Sequence, residues 1–201
     1  MHRRIALLSL LCAPALAAAE TFSAEVYGGL NKTDAVSLKS GQLPSLSDKA
    51  LLKSSSTQFG LLASLKLDTW RVGALAELGL NKGSASTTTL GAVVGPDIGF
   101  GPLHLEVMGE LGGRRYGNFL EDPQIVRQGA KEAWLVYLGL RPGVSVRLGL
   151  VYVGVWAFAR WDVTSKNVAV TYTPSGGAPT AGSYKLGGST FGGSLRLGIA
   201  L

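Results

Sequence analysis

The chain is predicted to be all-β, an eight-stranded antiparallel up-and-down transmembrane barrel whose outer wall meets lipid, on three observations. Stretches of alternating residues recur eight times after a leader, their apolar faces are aliphatic with aromatics toward the ends, and short turns alternate with long polar segments. Side chains alternate across a β pleat, so each parity of a stretch makes one wall. In the final stretch Phe191, Gly193, Leu195, Leu197, Ile199 and Leu201 share one face, and Gly192, Ser194, Arg196, Gly198 and Ala200 the other. The first face suits hydrocarbon and the second a narrow polar lumen.

Residues 1–19 read as a secretory signal peptide, removed from a barrel domain of 20–201. Met1-His2-Arg3-Arg4 is positive, 5–16 is apolar, and Ala17-Ala18-Ala19 supplies small residues before the cut. An apolar core of that length falls well short of the roughly 20 residues a spanning helix needs. Cys12, the only cysteine, leaves with the leader, and bulky Leu11 before it speaks against lipidation. An exported domain without disulfides must be held by hydrogen bonding and packing, which a closed barrel achieves by leaving no unpaired edge. Losing Arg3 and Arg4 takes the net charge from +6 to about +4. Charged residues are 16% of the sequence and hydrophobic ones 46%, against roughly 25% charged in a soluble domain. A water-facing surface needs more charge than this.

The strands are expected at 21–30, 57–67, 70–80, 88–95, 102–112, 132–141, 143–159 and 188–201. The first carries Phe22 on its apolar parity and Glu25 on the other; the second alternates Phe59 and aliphatics with Gln58, Gly60, Leu62, Ser64 and Lys66. The third opens on Trp70 and sets Arg71, Gly73, Leu75, Glu77 and Gly79 opposite its aliphatics, while the fifth carries His104, Glu106 and Glu110 inward. The sixth holds Trp134. The seventh contains the longest apolar run, 148–159, too short for a spanning helix, rich in β-branched and aromatic residues, and long enough for a tilted membrane strand.

Asp68-Thr69, residues 95–101 with Pro96 and Asp97, and Arg141-Pro142-Gly143 have turn chemistry. Residues 31–56, 81–87, 113–131 and 160–187 are long and polar. An even strand number places both termini on the short-turn side, which is periplasmic in outer-membrane barrels. Aromatic girdles belong at both interfaces. Phe22 and Trp70 are expected at the periplasmic level, and Phe59, Trp134, Trp156, Phe158 and Phe191 at the outer one. The steps from Phe191 to Leu201 cover about 33 Å of strand, or roughly 25 Å of membrane after tilting, the height of the apolar band.

In this architecture the chain resembles the small eight-stranded outer-membrane barrels of the OmpA and OmpX type. The resemblance covers 20–201 and lies in the leader, the eight alternating segments, the short turns and the long loops. It implies a monomeric, non-enzymatic protein of the Gram-negative outer membrane that meets the barrel-assembly machinery, lipid and lipopolysaccharide. Such proteins usually finish on an aromatic residue read by that machinery, where this chain has Leu201. No periplasmic domain is expected after the barrel, which brings the chain nearer the compact members.

Candidate chemistry is sparse. The mature chain keeps one histidine, His104, and no cysteine, so no His/Cys metal site or cofactor is expected. His104 has Glu106 two residues on, where lipid A deacylase barrels carry a serine; it is read as a lumen histidine bonded to a neighbouring carboxylate. The glycines of 187–193 lack the lysine and the strand-loop-helix setting of a phosphate-binding loop, and no nucleic-acid partner is expected. In the loops Lys32, Lys39, Lys49, Lys53 and Lys82 precede Arg114, Arg115, Arg127 and Lys131, against Asp34, Asp48, Glu121 and Asp122. Arg114 and Arg115 are candidates for lipopolysaccharide phosphates, with ordinary loop solvation as the other reading.

The inner parity carries Glu25, Glu77, Glu106 and Glu110 against Lys66, Arg71, Arg147 and Arg196, a near-neutral set for a narrow lumen. Glu25 and Arg196 should meet where the first and last strands close, with Arg147 in reach. The expected function is envelope structure and surface interaction through the long loops. The alternatives are a small porin-like channel for ions or solutes, and a soluble periplasmic carrier of lipocalin type with its apolar face turned inward.

Overall fold

A computed structural model describes residues 21–41, 52–53, 55–81, 85–129 and 132–201. The expected signal peptide, and Asp48, Lys49, Lys82 and Lys131, lie outside the described residues. Ten strands occur: β1 (Thr21–Ser40), β2 (Ser55–Leu67), β3 (Trp70–Asn81), β4 (Ser86–Phe100), β5 (Leu103–Gly117), β6 (Ile125–Arg127), β7 (Glu132–Leu148), β8 (Val151–Asp162), β9 (Lys166–Tyr172) and β10 (Thr180–Ala200). Eight close a ring in the order β1-β2-β3-β4-β5-β7-β8-β10, with β10 returning to β1 and every pairing antiparallel. Closure runs along most of both strands, from Ser23 opposite Ala200 to Ser40 opposite Ser183.

The alternation decides which side is lipid. Val26, Leu61, Leu78, Leu90, Leu111, Leu138, Val153 and Leu197 all stand on the outside and are exposed. A belt of this size exceeds the few hundred Å² of contiguous apolar surface found on soluble monomers. The soluble-carrier alternative required these side chains inside, and their exposure overturns it.

The wall admits large inward rings because glycine faces them across the ladder. Tyr27 is paired with Gly60, Tyr152 with Gly198 and Phe158 with Gly192. A Cβ on Gly60 or Gly198 would collide with the tyrosine ring, and one on Gly192 would stand 2.5 Å from the Phe158 Cζ. These glycines leave space for the rings to lie against the wall.

Two expected turns are misplaced. The turn at Asp68-Thr69 occurs, but residues 95–100 belong to β4 and the chain reverses at Gly101-Pro102, where Gly101 has φ +64°. Likewise Arg141-Pro142-Gly143 lies inside β7, and the reversal comes at Gly149-Leu150, with Gly149 at φ +65°. Both glycines adopt the left-handed region that other residues avoid. Pro142 is tolerated because it only interrupts the ladder to β8, which resumes in the same register from Leu140–Ala159 to Gly143–Trp156.

Moving that turn reverses the parity expected for the seventh strand. Val151, Val153 and Val155 face outward, while Trp156 is 4% exposed and Phe158 is buried. These two are therefore lumen residues and not girdle residues. Phe22, Phe59, Trp70, Trp134 and Phe191 are exposed, as are Trp161 and Phe100, which the sequence reading left out.

The segments read as polar loops are partly folded. β1 and β10 continue well past the belt, and β9 pairs with the first part of β10 and then with β6. Beneath this extension Val36, Leu52, Tyr116, Phe119, Leu120, Leu135, Val168, Val170, Tyr184 and Leu186 form a buried apolar cluster. The loop end thus carries its own packed cap.

Candidate functional site: lumen and loop-end wall

Inward side chains of the ring converge into two closed charge tetrads. In the first, Arg71 of β3 and Arg196 of β10 face Glu25 of β1 and Glu106 of β5. Arg71 lies 2.9 Å from Glu25 and 3.5 Å from Glu106, and Arg196 lies 3.3 Å and 2.5 Å from the same acids. In the second, Arg160 of β8 donates to Glu110 at 2.6 Å and to both oxygens of Glu77 at 2.6 and 3.0 Å. Arg141 of β7 bonds Glu110 through Nε and stands 3.8 Å from Glu77. Within its tetrad each acid serves two guanidinium groups and each guanidinium two acids. That mutual pairing allows eight charges to be held away from bulk water.

Trp156 joins the layers, with its ring 4.1 Å from the Arg141 guanidinium carbon and 4.9 Å from that of Arg196. Flat guanidinium groups over aromatic faces gain cation–π attraction, strongest where water is excluded. Leu62, Leu75, Val93 and Met108 pack with Tyr27 and Trp156 in the remaining interior. The braces span the ring, since β1 and β5 stand at opposite places in the strand order.

The ends are also plugged. At the turn end Asp97, fully buried, forms an ion pair with Arg71 at 2.7 Å, contacts His104 Nδ1 at 2.8 Å and has Lys66 at 3.9 Å. The recess lined by these residues, Arg147 and Tyr152 has about 20 Å³ of free volume, room for one water. His104 is bonded to Asp97 and not to Glu106, and Ser145, its cross-strand neighbour, donates to Glu106 at 3.3 Å. At the loop end Arg114 donates to Thr190 at 2.9 Å and to the Tyr116 hydroxyl at 3.1 Å, with Asp162 at 3.7 Å.

Several site expectations need correction. Arg114 is 2% exposed and points into the lumen, so it cannot reach a lipid phosphate. Arg115, its neighbour of opposite parity, faces outside but is clamped through Nε and a terminal nitrogen to both oxygens of Glu132. Arg147 lies at the turn-end mouth, where its Nε donates to the Gly149 carbonyl at 3.1 Å; no carboxylate pairs with it among the described residues. The sequence reading missed Asp97 and Arg141, taken as turn residues, and Arg160 and Asp162, taken as loop. Once the true turns are known, simple alternation through Val93, Gly95 and Asp97, through Leu135, Tyr137, Gly139 and Arg141, and through Trp156, Phe158, Arg160 and Asp162 finds them.

A closed eight-strand ring with an aliphatic exterior and an ion-paired interior is the fold of the small eight-stranded outer-membrane β-barrels, and the chain has that fold. Among solved structures it is similar to Neisserial surface protein A, at 12% identity over 89% of this chain and 96% of that one, with a TM-score of 0.55. It also aligns with the N-terminal β-barrel domain of Pseudomonas aeruginosa OprF (8% identity, 91% and 98% coverage, TM-score 0.48). A further match is Ail of Yersinia pestis (10%, 88% and 97%, 0.39). No protein-family model matches the chain, and no curated protein sequence matches it significantly. At these identities the likeness speaks for the fold alone.

Proposed function

We propose that this protein is a non-enzymatic integral barrel of the bacterial outer membrane, with both termini periplasmic, a sealed lumen and a surface role carried by its loop-end cap. The supporting observation is the division of its side chains, an exposed aliphatic belt around charges that are tied to one another. Stacked tetrads consume the groups that would otherwise solvate a permeating ion, and barrels of eight strands are narrow enough for side chains to fill. The tetrads act as cross-braces that keep the ring round, and the cap presents a stable surface to lipopolysaccharide or an outside partner.

The unboiled protein should therefore be recovered in the detergent-extracted outer-membrane fraction and migrate differently on a gel from the boiled one, because closed backbone hydrogen bonding resists detergent. Recovery in the soluble periplasmic fraction would refute the location. In planar bilayers the purified protein should show no steady conductance. Sustained ion-selective current would replace the sealed lumen with the small-channel reading.

A further inference from the structure

Positive charge at the loop end is distributed unevenly around the ring. On the β5–β7 side Arg115 is neutralised by Glu132 and Arg114 is turned inward. On the opposite side, where β1 and β10 close the barrel, Lys32, Lys39 and Lys185 are exposed, and none has a carboxylate within 4 Å among the described residues. Asp34 lies between them and is matched by Lys53 at 3.9 Å, so the strip keeps a clear excess of lysine.

The register shows which way this strip faces. Lys32 is paired with Phe191 of the aromatic girdle and follows Leu30, the last exposed aliphatic residue of β1 before its first bulge. Beyond the bulge between Asp34 and Val36, Val36 and Leu186 point into the cap core, so the next pair, Ser37 and Lys185, points outward. Asn167 of β9, paired with Lys185, adds a neutral polar group there. Lys39 is exposed at a second bulge, two residues past Ser37. The lysines climb the side of the wall, starting at the girdle, and not the top of the cap. From Lys32 to the level of Lys185 is about 16 Å of strand, or roughly 12 Å of height after tilting.

We propose that the β1–β10 side of the loop-end wall binds a lipid that carries phosphate groups at more than one depth, the chemistry of lipopolysaccharide. This rests on the membrane reading above. A phospholipid headgroup has its phosphate at a single level and meets Lys32 alone. A lipid A phosphate meets Lys32 while phosphates of the attached core sugars meet Lys185 and Lys39. A soluble polyanion approaching from outside has no reason to prefer a strip that begins at the hydrocarbon boundary.

The test uses the full mature chain in nanodiscs of phosphatidylcholine, of phosphatidylcholine with phosphatidylglycerol, and of phosphatidylcholine with lipopolysaccharide, with lipid retained per barrel measured after mild detergent extraction. The unmutated protein should enrich lipopolysaccharide most. Lys39→Thr with Lys185→Thr should lower that enrichment, by about fivefold for each lysine, and leave phosphatidylglycerol unchanged. Lys32→Thr should lower both, and Arg115→Thr neither. Undiminished lipopolysaccharide retention in the triple lysine variant overturns the proposal. So does heparin binding to the detergent-solubilised protein that falls with Lys39 and Lys185 while lipopolysaccharide retention does not. A chain that fails to enter any nanodisc refutes the membrane reading itself, a separate outcome.

Discussion

Replacing Arg160 with Met should destabilise the folded barrel by about 3 to 5 kcal/mol, the cost of breaking a buried ion pair by removing one partner. Arg160 is 1% exposed, and all three of its nitrogens bond the carboxylates of Glu77 and Glu110. Without it, two carboxylates share Arg141, which touches Glu110 closely but stands 3.8 Å from Glu77. One negative charge is then left in a lumen with little room for water. Adding Glu77→Gln should recover most of the loss, because Arg141 and Glu110 remain as a matched pair and the amide hydrogen-bonds without charge. Urea unfolding in lipid vesicles, followed by tryptophan fluorescence, measures both. A cost below about 1 kcal/mol for Arg160→Met would mean that solvent reaches the carboxylates, and the sealed lumen would be lost with it.

Much of this barrel was legible because period-two alternation is set by the pleat and does not depend on partners. The ring of eight and its lipid-facing aliphatics follow from that periodicity alone. Turn chemistry was less reliable. Pro142-Gly143 reads as a reversal, yet one missing N–H in an otherwise paired β7 is a small local loss, while Gly149 supplies a left-handed turn beyond it. The misplacement kept the strand number and inverted one face, which turned Trp156 and Phe158 toward lipid on paper and hid Arg160.

The lumen was partly legible for a related reason. Glu25, Arg71, Glu77 and Arg196 lie on strands whose limits can be read from aliphatic alternation. Arg114 lies on the same inner parity as Glu106 and Glu110 but past the belt, where the outward residues stop being apolar and the periodic signal fades. In that region strand pairing is sustained by long-range partners, β10 with β9 and β9 with β6, and their mutual choice is not written in local composition. The cap core is dispersed as well, drawing Leu52, Phe119, Val170 and Leu186 from four separate segments.

Leu197→Arg should cost about 2 to 4 kcal/mol, the depth-dependent penalty for a cation on the lipid face near the bilayer midplane. Leu197 is 51% exposed and paired with Val26 and Val153, both outward. It stands four residues from Leu201, about 13 Å of strand and roughly 10 Å of depth from the turn-end margin of the belt. Leu80→Arg supplies the contrast: Leu80 is also exposed, but lies beside Asn81 at the loop-end limit of β3, where the same substitution should cost only about 0 to 1 kcal/mol. In water the two positions would be equivalent, since an exposed leucine loses nothing by becoming arginine. Only a hydrocarbon exterior makes the cost grow with distance from the interface. Urea titration of both variants in phospholipid vesicles reads the difference directly, and equal, near-zero costs would mean that the belt does not face lipid.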